Sequence, residues 1–394
     1  MSTPDGVLVV GASAAGLSTA EALRRKGYRG PITVLGAERH LPYDRPPLSK
    51  QVLAGTWTPD RARLRPPDVL STLDATFVLG DAAVSLDVPA RTVRTASGQE
   101  LTAEAVVVAT GLRARTLPGQ DGLAGVHVLR TLDDTLALRE DLLVCSRVVV
   151  VGDGVLGTEI AATARMMGLA VTIAGPQRAP LAHQFGALPA RLLADLHTSN
   201  GVGLRLGSGV TGLSSHEGRV TGVCLETGEV LPADVVVVAF GAAPAVEWLA
   251  GSGVPRDNGI VCDSQCRAAD GVYAAGDVAR WHHEALDVLM RLENRTNAAE
   301  QGVAVAGAIL GETKPYTPVP YFWTDQFDVK IQVHGVLGAD AEVSVVDGDP
   351  AGNRFVATYR QDGVVTGVLG WNMAKQARLL RQEIGRPALV GGKS

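Results

Sequence analysis

Twice in this chain a run of apolar, mostly β-branched residues breaks into a glycine-rich turn and then into a helical pattern. No other feature narrows the possible folds so far. The first copy runs from Val7 to Val10, through Gly11-Ala-Ser-Ala-Ala-Gly16, into a helix to Arg25 and a second strand at Ile32 to Leu35. The second runs from Arg147 to Val151, through Gly152-Asp-Gly154-Val-Leu-Gly157, into a helix to Met167 and a strand at Val171 to Ile173. Each reads as a compact βαβ unit. Glycine-rich turns alone are common, but a buried strand before and a helix after give this spacing its meaning. The tight turn aims backbone N–H groups and the positive end of the helix at one point, which is the geometry that holds a pyrophosphate. Two dinucleotide sites are therefore expected.

Three further apolar runs end on glycine, at Val106 to Gly111, Val235 to Gly241 and Val272 to Asp277. A buried strand that ends so marks the close approach of a backbone or a ligand, which brings in Ala109, Thr110, Gly111, Gly241 and the Gly276-Asp277 pair. Their order predicts nesting. A first dinucleotide-binding domain occupies 1–113 and resumes at 241–315, with a second inserted at 114–240. After Pro315 the pattern changes to alternating, aromatic-containing strands and a helix from Ala374, so 316–394 reads as a C-terminal α+β domain. The fold class is α/β, with two nested Rossmann-like domains. At 394 residues, 46% hydrophobic but only 4% aromatic and with 46 glycines, the chain suits several tightly packed layers joined by short turns.

The charge balance excludes some partners. A net charge of -5 gives no overall reason to bind nucleic acid or an anionic membrane. The four cysteines, Cys145, Cys224, Cys262 and Cys266, contain no C-x-x-C pair, so neither a zinc ribbon nor a redox dithiol is readable. No metal site is expected, and free thiols fit a reducing compartment. The N-terminus has no basic region ahead of its apolar run, and no apolar run is long enough to cross a bilayer. A cytoplasmic protein is expected.

Individual side chains carry the next inferences. In the first glycine turn Ser13 replaces the middle glycine, and its small hydroxyl can donate to a phosphate; Ala14, Ala15 and Gly16 open the helix. Glu38 stands where an acid would hold the adenosine ribose, or is an exposed loop glutamate. Prolines on both sides extend the segment Pro42 to Lys50, which makes Lys50 a positioned side chain, or else a surface lysine. The Asp277 carboxylate can accept a bond from a sugar hydroxyl. In the second fold Gly152, Gly154 and Gly157 form the turn, but Gly175 stands where an acid would bind the 2'-hydroxyl of NADH. Losing that acid removes its repulsion of a 2'-phosphate, and Gln177 or Arg178 can bind one. NADPH use at least comparable with NADH is predicted.

The segments GASAAG, YDRPPLSK, ATGLRAR, GDGVLGTE, YAAGDVARW and YFWTDQFDVKIQVHG, in that order along nearly the whole chain, resemble the FAD-dependent ferredoxin reductases of bacterial oxygenase systems. The resemblance implies a glutathione-reductase-like architecture. It implies that Lys50 lies beside the flavin N5 and pairs with Glu159, a cation there stabilising electron density that arrives on the ring. It further implies that Arg45, Ala109, Thr110 and Gly111 pack at the FAD, that Arg130 and Asp277 bind it, and that Val84 meets the adenine. A helix beginning near Asn297, just past the cofactor candidates Arg295 and Thr296, should aim its positive end at the flavin. Arg295 replaces an expected tryptophan, and either adds charge at the ring or faces solvent. Trp323 matches an aromatic residue near the flavin or its electron exit, or is a core residue of its strand.

The implied activity passes electrons from NAD(P)H through FAD to a small acidic 2Fe-2S ferredoxin that supplies a monooxygenase or Rieske-type dioxygenase. Lys375, Arg378 and Arg381, at helical spacing, would dock the carrier or form a solvated face. A monomer is expected. A rubredoxin reductase is the near alternative. A flavin-switched binding protein similar to apoptosis-inducing factor is the distant one. Disulfide chemistry is disfavoured because no cysteine lies near Tyr43 and Asp44.

Overall fold

The computed structural model describes residues 3–338 and 340–386. The chain forms two units, each assembled from three stretches: 1–45, 59–113 and 242–318 in the first, and 46–58, 114–241 and 319–394 in the second.

In the first unit, β1 (Val7–Val10), α1 (Ala14–Arg25) and β2 (Ile32–Gly36) follow directly from the opening sequence pattern. A six-stranded sheet has the order Arg267–Ala269, Val272–Ala274, Ala105–Val108, β1, β2, Thr76–Leu79. β1 pairs in parallel with both neighbours, Val7 lying opposite Ile32 on one side and Ala105 on the other. All four residues of β1 and of Ala105–Val108 are buried, as unbroken apolar runs require of a parallel strand covered on both faces. The helix Arg295–Ile309 packs along α1, and small residues on both allow the close approach.

The second unit repeats the theme with β3 (Arg147–Val151), α2 (Val155–Met166) and β4 (Ala170–Gly175). Its parallel sheet has the order Gly203–Leu206, β4, β3, Val235–Val238, Val126–Val128. The alternating strands beyond 319 make a five-stranded antiparallel sheet that starts with β5 (Tyr321–Gln326). Its apolar face, with Phe355, Tyr359 and Trp371, shares one core with Leu181, Phe185 and Leu193. The Tyr359 hydroxyl donates to the Phe185 carbonyl at 2.5 Å, which satisfies a phenol buried in that core.

One geometric device occurs in both units. Gly11 has φ +127° and Gly152 φ +131°. A Cβ on either would run into a backbone carbonyl, that of Ala109 in the first case and of Ala239 in the second. The turn thus depends on the neighbouring strand's end as much as on its own backbone.

Candidate functional site

The N-termini of α1 and α2 carry neither a side-chain cap nor an acidic residue in the first turn. The helix Leu132–Leu142, by contrast, is closed by a capping box of Thr131 and Asp134. Leading N–H groups that no side chain of the helix takes up suit a phosphate. Both turns therefore fit a dinucleotide. Ser13 and Gly154 occupy the two cap positions in extended conformations.

Around the first turn, Glu38 is held from two sides. One carboxylate oxygen accepts from Arg45 at 2.8 Å and the other from the Tyr43 hydroxyl, while the Arg45 guanidinium lies 5.3 Å from the centre of the Tyr43 ring. This fixes Glu38 rather than leaving it a loose loop side chain. Thr110 donates its hydroxyl to the Ala245 carbonyl at 2.8 Å, and the Gly111 carbonyl accepts from Ala245 N–H at 2.9 Å. The Gly276 N–H donates at 2.8 Å to the side chain of Gln301, which is fully buried in the helix Arg295–Ile309. That helix starts at Arg295, two residues before the Asn297 near which the resemblance places its beginning, because the Asn294 side chain caps it by accepting from Asn297 N–H at 3.0 Å. Arg295 forms an ion pair with Asp44 at 2.5 Å, and Thr296 follows it in the first turn. Val84, on the strand Ala83–Asp87, is 42% exposed.

In the second unit a π-helical turn, Leu48–Val52, presents Lys50, with Val52 N–H reaching back to the Pro47 carbonyl at 3.0 Å. Lys50 Nζ lies 2.6 Å from a Glu159 carboxylate oxygen, and the two side chains are only 12% and 7% exposed. The same oxygen accepts from Ser49 Oγ at 2.6 Å, and the other accepts from Thr324 Oγ1 at 2.8 Å. One helical turn along α2, Thr163 donates to the Ser49 carbonyl at 2.7 Å and so fixes the π-turn. The network continues through Gln326, which donates to Thr324 at 3.1 Å and contacts His197 Nε2 at 2.7 Å. Burial holds His197 toward its neutral form, partly offset by that bond. A buried ammonium with a triply bonded carboxylate partner is a fixed positive charge, not a mobile one. Ser49, Thr324 and Gln326 were not singled out from sequence, although two of them lie in strand alternation within the FWTDQ segment.

Trp323 is partly buried and stacks on Tyr321 with ring centres 6.0 Å apart, and Tyr321 stacks on His334 at 4.8 Å. Arg130 donates its backbone N–H to Asp134 at 2.9 Å. The Gly241 carbonyl accepts from Arg115 N–H at 3.1 Å. At the end of β4, Gly175 is followed by an exposed Arg178. Gln177 is buried, and both ends of its amide are already used inside the protein: it donates to Asp153 and accepts from His183 N–H, each at 2.8 Å. Lys375 and Arg378 are exposed on the helix Ala374–Leu380; Arg381 is exposed beyond its end, where the chain tightens into a 3-10 turn.

All four cysteines are free. Burial raises the Cys266 thiol to about 12 and the Cys262 thiol well above its ordinary value, the opposite of an activated sulfur nucleophile. Among the described residues no group of side chains could hold a metal ion, and no helix is long and apolar enough to cross a membrane.

Two glycine-turn cradles on parallel sheets, one followed by a held acid and the other by none, make the frame of a dinucleotide-binding α/β protein with two such folds. The chain belongs to the pyridine nucleotide-disulphide oxidoreductase family, whose model matches residues 5–302, while residues 321–391 match the reductase C-terminal domain. It is 38% identical to a ferredoxin–NAD(P)(+) reductase of Sphingomonas, over 91% of this chain and 87% of that protein. The ferredoxin reductase for the CYP199A2 system of Rhodopseudomonas palustris superposes with a TM-score of 0.92 at 35% identity, covering 96% of this chain and 93% of that one. The reductase in the covalent putidaredoxin reductase–putidaredoxin complex superposes with a TM-score of 0.91 at 32% identity, covering 96% and 92%. FAD and a nicotinamide nucleotide are the cofactors of the family.

Proposed function

We propose that this chain is a ferredoxin reductase that takes electrons from NAD(P)H and delivers them to a small acidic 2Fe-2S ferredoxin serving a monooxygenase or Rieske-type dioxygenase. The observation that carries the reading is the likeness to ferredoxin reductases through the C-terminal sheet as well as the two dinucleotide folds, since the reductase C-terminal match begins at residue 321. Bound FAD supplies the redox chemistry, accepting two electrons as hydride and releasing them singly.

The chain's own residues bind, orient and supply charge. In this reading Gly11 to Gly16 hold the FAD pyrophosphate and Glu38 the ribose. Thr110, Gly111, Gly276 and Asp277 line the flavin site, and the helix from Arg295 offers its positive end. Gly152 to Gly157 hold the nicotinamide nucleotide. Lys50, fixed by Glu159, Ser49 and Thr324, places a constant positive charge where negative charge develops on the flavin. Trp323 serves the exit of electrons. Exposed Lys375, Arg378 and Arg381 give an acidic carrier its electrostatic complement. The protein works as a monomer in the cytoplasm, where its four free cysteines stay reduced.

NADPH serves at least as well as NADH, because β4 ends on Gly175 without an acid and Arg178 lies exposed three residues on. Since the amide of Gln177 is engaged, the 2'-phosphate falls to Arg178. The test is steady-state reduction of a 2Fe-2S ferredoxin and of a rubredoxin by the purified flavoprotein, with NADH and NADPH in parallel. Saturable ferredoxin reduction with a kcat/KM for NADPH no lower than for NADH is expected. Reduction of rubredoxin alone, or of dyes and oxygen alone, would overturn the carrier assignment. A strong preference for NADH would overturn the nucleotide assignment.

A further inference from the structure

The acid missing from the end of β4 has a counterpart inside the second glycine turn. Asp153, the residue between Gly152 and Gly154, directs its carboxylate at Gly175, so that a Cβ on Gly175 would strike it. A negative group therefore stands against the position from which an acidic side chain would reach an adenosine ribose. Left free, it would attract a 2'-hydroxyl and repel a 2'-phosphate.

Gln177 holds it instead. The Gln177 backbone N–H donates to one Asp153 oxygen at 2.8 Å, and its side-chain amide donates to the other, also at 2.8 Å. The amide oxygen accepts from His183 N–H at 2.8 Å, which fixes the amide's orientation, and the Gln177 carbonyl accepts from Gly207 N–H at 2.9 Å. Asp153 is 5% exposed and Gln177 7%. Two N–H dipoles thus point at the carboxylate, weaken its outward field and keep it from turning toward a ligand. No residue other than Gln177 is seen to donate to it among the described residues.

We infer that Gln177 is a specificity-determining residue: by sequestering the Asp153 carboxylate it makes the adenosine end of the second nucleotide site tolerant of a 2'-phosphate. This rests on the proposed use of NADPH and explains how a chain that carries an aspartate at this place can accept that nucleotide. Arg178 supplies the attraction, and Gln177 removes a repulsion. The two contributions are separable, because truncating Gln177 leaves Arg178 in place.

The experiment compares the wild type, Gln177→Ala and the double variant Asp153→Ala/Gln177→Ala as holoenzymes. It measures kcat/KM for NADPH and NADH, and inhibition constants for 2',5'-ADP and 5'-AMP, which report the 2'-phosphate without any hydride transfer. Gln177→Ala is expected to lower the NADPH-to-NADH ratio about tenfold and to weaken 2',5'-ADP selectively. The double variant is expected to restore both. Should Gln177→Ala fail to fold, Gln177→Met keeps the side-chain length and adds no charge but cannot donate to Asp153, and should move the ratio the same way. Equal loss of both inhibitors, or no recovery in the double variant, would overturn the role of Gln177 and leave the NADPH reading standing. A wild type that binds 5'-AMP much more tightly than 2',5'-ADP, with Gln177→Ala still selectively weakening the latter, would overturn the NADPH reading and leave Gln177 standing.

Discussion

Replacing Glu159 by glutamine keeps the size of the side chain and its ability to accept from Ser49 or Thr324, but removes the charge opposite Lys50. The two groups lie 2.6 Å apart with 12% and 7% of their side chains exposed. At an effective dielectric constant near 20 their gross attraction is about 6 kcal/mol. Much of this is offset by desolvation, and the measured cost of breaking such a pair is about 3–5 kcal/mol, because the surviving charge stays buried. Asp325 also attracts Lys50, which moves the expectation to the lower end, about 3 kcal/mol. For a unit of this size that lowers the unfolding midpoint by roughly 6–12 °C. Thermal unfolding of the flavin-loaded protein, followed by far-UV circular dichroism, reads it directly. A second variant, Lys50→Met/Glu159→Gln, removes the stranded ammonium and should recover most of the loss. If Glu159→Gln unfolded within a degree of the wild type, or the double variant were less stable than the single one, Lys50 and Glu159 would not be the buried, mutually dependent pair described above.

His334 is buried, and burial, with a smaller effect from Arg381 and Arg378, lowers its imidazole to about 4. Because the folded state resists the proton, this contribution to stability is full above the unfolded value near 6.5 and is lost as pH falls from there toward 4, in total about 3 kcal/mol. His334→Phe should therefore lose less stability than the wild type between pH 7 and pH 4 in urea titrations, and parallel losses would refute this. Burial raises the Asp325 carboxyl, against the pull of Lys50 and Lys330 and with some reinforcement from Glu159. The folded state then favours the protonated form, so its stabilisation is present in acid and lost as pH rises through the raised value. Asp325→Asn should gain relative stability at neutral pH, with the advantage vanishing in acid. Gly152→Ala sets a Cβ against the Ala239 carbonyl at φ +131° and should destabilise by at least about 3 kcal/mol; a variant melting with the wild type would show that the turn can relax.

The glycine turns were legible from sequence because their constraint is local: a strand, a backbone angle and a helix within twenty residues of one another. Partners drawn from far along the chain were not. Thr324 meets Glu159 from 165 residues away, and only strand alternation in the FWTDQ segment hints that Thr324 and Gln326 share a face. Gln177 read as a phosphate ligand because it follows a missing acid; its use on Asp153 depends on a carboxylate two elements earlier. The Asn294 cap, which sets the helix start at Arg295, was not singled out from sequence either. The spacing of Lys375, Arg378 and Arg381 fits one helical face, yet regular helix ends at Leu380, so periodicity alone overran the element.

The first unit's sheet has a timing problem during synthesis. Ala105–Val108 pairs on one side with β1 and on the other with Val272–Ala274, and the second partner is made only after the whole of 114–241. At ordinary ribosome speeds the wait is on the order of ten to thirty seconds. Throughout it the nascent chain carries a fully apolar strand with one open edge, which is a template for pairing with other chains. Slow or stalled translation across 114–241 should thus favour aggregation, and neither unit can be excised as one continuous stretch of gene.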